Sequence, residues 1–176
     1  YKIGLEPGTV LFISKPRNYS LPLDEHGIPQ FFYRHYPEGS AVELLFPGIE
    51  PSGELPGAID FALIPAQEPE SYSVLCVSDP QPQNHAELGF YRDDVLAELV
   101  GTDASFGIVL GDILYDDLSM FPRYKELIGQ VGIPWFHAAG NHEINFDAPD
   151  DESARDTYIR HFGPRYYSFD FGPVHY

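Results

Sequence analysis

"GIVLGDILYDD" (107–117) decides how this chain is read. The opening "GIVLG" is a short apolar run, and carboxylates follow it at Asp112, Asp116 and Asp117. An apolar run of this length without polar alternation suits a strand covered on both faces. Two other stretches share the layout. "SVLCVS" (73–78) leads into "DPQ" (79–81), and "IPWFHAA" (133–139) leads into "GNHE" (140–143). Between the runs, "ELGFYRDDVLAELV" (87–100) places Leu88, Tyr91, Val95 and Leu99 at helical spacing, and "FPRYKELIGQV" (121–131) reads as a second helix. Strand–helix–strand–helix–strand predicts parallel strands joined by right-handed crossovers, with ligands collecting at the carboxyl ends of the strands.

Outward from this core, "SARDTYIRHF" (153–162) fits a further helix, with Asp150 or Asp151 available as its cap. "YYSFDFGPVHY" (166–176) reads as two strands turning at Gly172-Pro173. Before residue 68 the rhythm is different. "TVLFIS" (9–14), "QFFYRHY" (30–36), "VELLF" (42–46) and "IDFALIPA" (59–66) are short, aromatic or branched, and separated by Pro- and Gly-containing turns. Such punctuation predicts a small antiparallel β-domain. "PAQEPES" (65–71) reads as the boundary. The expected architecture is therefore an α/β unit over 69–176, preceded by a small β-sandwich-like domain over 1–68. The abrupt start on "YKIGLEPG" and stop on "FGPVHY" read as cuts in a longer protein, so both units are expected to be incomplete.

With 176 residues and 43% apolar content the chain can bury a core, and no segment is long and apolar enough to cross a bilayer. A formal charge of −17 argues against nucleic-acid binding, which needs basic surface. It favours cations, and it repels an anionic substrate unless bound cations reverse the field locally. Cys76 is the sole cysteine, which excludes a disulfide framework and reads as a buried strand thiol.

The strand ends converge on one chemistry. Asp79 and Gln81, then Asp112, Asp116 and Asp117, then Asn141 and His142 fall at one edge of one sheet. That set suits metal-assisted displacement at phosphorus. Asp112, after the central strand, is placed to bridge two cations; Asp79 would bind one of them, and Asn141 offers a neutral oxygen to the other. His142 would give a proton to the leaving oxygen, its tautomer fixed by Asp116. Glu143 is expected to face outward or cap the next segment, and His137 to be structural. His175 reads as packed on a strand or supporting the site. "DAPDDE" (147–152) lacks the glycine and spacing of a calcium loop and reads as a solvated loop with a helix cap.

"SDPQ", "LGDILYDD" and "AAGNHE", in this order on successive strands, resemble the first three blocks of the calcineurin-like metallophosphoesterase family. The resemblance covers roughly residues 69–176. It implies two divalent ions (Mn, Mg, Fe or Zn) bound by Asp79, Gln81, Asp112 and Asn141, with His142 and Asp116 assisting catalysis. The implied reaction is hydrolysis of a phosphate mono- or diester by a metal-bound hydroxide, on a small phosphorylated substrate or a phosphoprotein. A subgroup with a small leading β-domain and a D-P-Q first block is a closer match and implies export. Gln81 stands where most of the family has a histidine, which favours magnesium or manganese over zinc. The family completes its site with a later histidine and a G-H-x-H block, and no G-H-x-H occurs in these 176 residues. A half-built site with little activity is the resulting expectation. Tyr115 also resembles the G-D-x-x-Y tyrosine of purple acid phosphatases, but the rest of that pattern is absent and packing is the preferred role. The competing reading is a non-catalytic cell-surface binding protein on a degenerate phosphoesterase scaffold.

Overall fold

The computed structural model describes residues 2–176. Its leading segment contains β1 (Thr9–Phe12), β2 (Tyr19–Ser20), β3 (Phe32–His35) and β4 (Ile64–Pro65), paired antiparallel as β1–β3 and β2–β4. The aromatic stretch at 30–36 thus supplies a strand, as its branched and aromatic content predicts. Only two residues of 59–66 are extended, and "VELLF" forms no strand. Its last two amides are taken by side chains of a later loop: Leu45 N–H donates to Asp147 Oδ2 (2.9 Å) and Phe46 N–H to Asn145 Oδ1 (3.2 Å). A backbone satisfied in that way has no need of a ladder partner.

The centre is a parallel sheet of β5 (Val74–Val77), β6 (Phe106–Val109) and β7 (Trp135–His137), with β6 in the middle. Val77 pairs with Val109 and Val109 with His137, so the three strands end level with one another. Helix α1 (His85–Phe90) starts on Asn84, whose side chain accepts from Ala86 and Glu87 N–H. It continues through a π-helical stretch (Tyr91–Leu96) into a last α turn (Ala97–Leu99). That stretch corrects the expected face. The wider turn carries burial from Tyr91 to Leu96, and Val95 is left exposed. Helix α2 (Phe121–Gly129) follows a 3₁₀ turn at Leu118–Met120, and α3 (Asp156–Phe162) follows one at Ser153–Arg155. Asp150 caps that turn by accepting from Ser153 N–H at 2.8 Å. β8 (Asp170–Phe171) and β9 (Val174–His175) close the chain as an antiparallel pair, as expected.

Alternation along the strands directs side chains to two layers. Trp135 and Val109 face the helices with Leu88, Leu96, Tyr124, Leu127 and Tyr158. Phe106 and Phe136 face an aromatic layer in which Phe136 stacks on Phe169 at 3.9 Å. Both layers recruit the leading segment: Ile28 and Ile49 join the first, Leu21 and Phe31 the second. Residues before and after position 68 therefore share their cores. Cys76 is exposed, contrary to the expected buried thiol. It lies on an edge strand, and the aromatic layer that covers Val74 does not reach it. His175 is also exposed, with Nδ1 2.6 Å from Asp170 Oδ1. No helix among the described residues is long and apolar enough to cross a membrane.

Candidate active site at the strand ends

The level ends of β5, β6 and β7 bring the three motifs to one edge. The chain turns sharply there. Asp79, Gln81 and Asp112 have φ of +51°, +40° and +48°. Left-handed backbone costs a residue with a Cβ on the order of 1–2 kcal/mol, and glutamine lacks the tolerance of asparagine and aspartate for it. Such outliers persist only where surrounding structure holds them, and they cluster at functional sites.

What holds them is visible in the contacts. Gln81 N–H donates to Asp112 O (3.2 Å) and Tyr115 N–H to Pro82 O (3.3 Å), stitching the loop after β5 to the loop after β6. Gly140 lies against Asp112; a Cβ at Gly140 would fall 2.0 Å from Asp112 Oδ1. Only glycine permits that approach. His142 N–H donates to Asp112 Oδ1 (3.1 Å), and Gln81 Nε2 donates to Asp112 Oδ2 (3.2 Å). The Asp112 carboxylate is thus the node where all three loops meet.

Beneath it sits Glu143, which is fully buried and does not face outward as the sequence suggested. Its carboxylate accepts from Asp112 N–H (2.8 Å), Ile113 N–H (2.8 Å), Leu114 N–H (3.4 Å) and Gly140 N–H (2.7 Å). Successive N–H groups around a left-handed residue form an anion-binding nest, and Glu143 fills it. Burial pushes the Glu143 carboxyl above its ordinary range, and the backbone donors oppose that shift. Arg155 adds a strut by donating from Nη1 to Gly140 O at 2.7 Å. The sequence did carry a signal for Glu143: tight turns at Gly111 and Gly140 free backbone donors that need an acceptor. Nothing marked Arg155.

His142 Nδ1 lies 2.8 Å from Asp116 Oδ1. A carboxylate only accepts, so Nδ1 carries the proton and the tautomer is set. This hydrogen bond raises the His142 pKa, against the effect of burial. Tyr115 stacks on the same ring with centroids 4.7 Å apart, which gives it a packing role beside the histidine. His137 is structural: buried, within reach of the Tyr124 hydroxyl (3.2 Å), and held neutral by burial with its pKa lowered to about 3.

Of the residues expected to act, Gln81, Asp112, Asp116 and His142 are joined by these contacts. Asp79 falls two residues beyond Val77 on the same edge, but its exposed carboxylate takes a hydrogen bond from neighbouring Ser78 and, among the described residues, none from the other loops. Asn141 sits between Gly140 and His142 with its side chain exposed and outside the hydrogen-bond network of the described residues. Asp79, Gln81, Asp112 and Asn141 offer only oxygen donors toward a cation, the chemistry of magnesium and manganese. Both Asp112 oxygens keep a free lone pair after the contacts above, so the set fits a hard divalent ion. Among the described residues no three His, Cys, Asp or Glu side chains gather as a metal-binding group. No protein-family model, curated protein or solved structure matches the chain.

Proposed function

We propose that the strand-end edge is a divalent-cation site for hydrolysis of a phosphate ester, as the resemblance to calcineurin-like metallophosphoesterases implies. The observation that supports this reading is the interlocking of three strand ends on one carboxylate, Asp112, with a tautomer-fixed histidine beside it. Asp112 and Asp79 would hold the cation through carboxylates, and Gln81 and Asn141 through amide oxygens. When bound, that ion neutralises phosphate charge in a molecule of net charge −17 and acidifies water. Asp112 is positioned by the His142 N–H and the Gln81 amide. In its imidazolium form, which the Asp116 hydrogen bond favours, His142 would give its Nε2 proton to a departing alkoxide while Nδ1–H stays on Asp116. Glu143 fixes the loops that carry Asp112 and Gly140.

The test is manganese titration of the protein by calorimetry, then binding of orthovanadate, a phosphate mimic. Saturable manganese binding that is lost in Asp112→Asn, with vanadate bound only when manganese is present, supports the reading. Binding of neither, with unchanged stability after chelation, supports the non-catalytic scaffold instead.

A further inference from the structure

A second site lies away from the strand ends, where residues 36–42 and 150–156 enclose a cleft of about 400 Å³. Its walls include Pro7, Tyr36, Pro37 and Val42, and its charged groups are carboxylates at Glu38, Asp150, Glu152 and Asp156. These acids are not equivalent. Asp150 is engaged by Ser153, through N–H at 2.8 Å and Oγ at 2.7 Å. Asp156, the first residue of α3, is 3% exposed, lines the cleft, and forms no ion pair among the described residues. Ser40 is its hydrogen-bonding neighbour, and Arg165 acts on it through space only. Burial, reinforced by Asp150 and Glu152, raises the Asp156 pKa. Burial and the nearby Asp156 charge push the Tyr36 hydroxyl up to about 12, so it remains protonated.

Asp156 is withdrawn from water with Arg165 acting on it only through space and no ion pair among the described residues, and a cation entering the cleft would offset that cost. A bare divalent ion asks for six or more converging oxygen ligands, and among the described residues no three carboxylates converge as such a group. A cation with a carbon skeleton matches both halves of the lining: its nitrogen meets the carboxylate, and its body meets Tyr36, whose ring face also attracts positive charge. We propose that this cleft binds a small organic ammonium ion, with its nitrogen on Asp156 and its apolar part against Tyr36, Pro37 and Val42.

The experiment compares phenethylamine with its neutral counterpart 2-phenylethanol by calorimetry and by amide chemical shifts of the whole chain. The expected result is saturable binding of the amine, at least tenfold weaker binding of the alcohol, and at least tenfold loss in Asp156→Asn. Asp112→Asn should bind the amine as the parent does, because the strand-end site is not involved. Val42→Trp narrows the cleft without altering charge and should also abolish binding, which keeps the test intact if Asp156→Asn fails to fold. Equal binding of the alcohol, no saturable amine binding, or undiminished binding in either cleft variant would overturn the proposal.

Discussion

Two buried carboxylates hold this molecule together in opposite ways. Glu68 lies next to the cleft lined by Ser105, Phe106 and Pro134, near the start of β6 and β7. Its Oε1 is 2.5 Å from Lys15 Nζ, and its Oε2 accepts from Asn18 N–H (2.9 Å) and Gly172 N–H (3.1 Å). Glu143, at the far ends of the strands, accepts four backbone N–H groups and, among the described residues, pairs with no cationic side chain. Burial works to raise both pKa values. At Glu68 the backbone donors and Lys15 outweigh it and the pKa falls; at Glu143 burial prevails and the pKa rises. One end of the sheet is neutralised within the protein, while at the other neither Glu143 nor Asp112 forms an ion pair among the described residues. The first is a structural lock, and the second is where a cation would be drawn.

Breaking the lock should produce the largest effect. Lys15→Met leaves Glu68 buried and unpaired, which costs about 3–5 kcal/mol; the urea midpoint of unfolding measures it. Lys15→Met combined with Glu68→Leu should restore only part of the loss, since Asn18 and Gly172 N–H then lack an acceptor. If the single variant matches the parent, Lys15 and Glu68 do not form a structural lock. Glu143→Gln is expected to cost about 2–3 kcal/mol, because an amide presents a donor where four donors converge. Its signature is local: amide exchange at Asp112, Ile113 and Leu114 should accelerate beyond the global loss. Uniform acceleration would show that Glu143 does not act on these loops.

These two anchors also mark how far the sequence could be read. The strands at 74–77, 106–109 and 135–137 were legible because apolar runs end on polar turn residues, and the parallel order follows from the helices between them. The same logic placed Asp112, Gln81 and His142 at one edge. It could not supply the partners that come from elsewhere in the chain, such as Arg155 on Gly140 or Lys15 with Glu68. Periodicity misplaced the face of α1 because one π-helical stretch adds a residue to the turn, shifting burial to Leu96. "VELLF" looked like a strand because a branched apolar run says nothing about side chains that will occupy its amides. The shared cores were hidden too. Aromatic residues such as Phe31 fit a separate β-domain as readily as a layer over Phe136.

Acid separates the regions further. His137 closes β7 directly before the strand-end loops, and His161 lies on α3; burial lowers their pKa values to about 3 and about 4 from 6.5. Below pH 6.5 the unfolded chain binds protons that the folded chain refuses, so stability falls as pH falls, by up to about 1.4 kcal/mol per pH unit for each histidine. The loss at His161 is complete near pH 4 and at His137 near pH 3. Urea midpoints between pH 6.5 and 4 should fall less steeply in His161→Asn than in the parent. Identical slopes would mean that His161 titrates normally in the folded state. The smallest expected effect is a gain. Gln81→Gly relieves a left-handed φ of +40° and should add up to about 1 kcal/mol to stability while weakening manganese binding. Stability gained with metal affinity unchanged would remove Gln81 from the site.

On the proposed reading the three strand ends form one cation site around Asp112. Manganese added to ¹⁵N-labelled protein tests it most directly, because paramagnetic broadening reports which amides lie near the ion. Broadening should saturate, be strongest at residues 79–81, 111–117 and 140–143, fall off with distance from Asp112, and disappear in Asp112→Asn. Broadening spread over the acidic surface, or unchanged by that substitution, would contradict it.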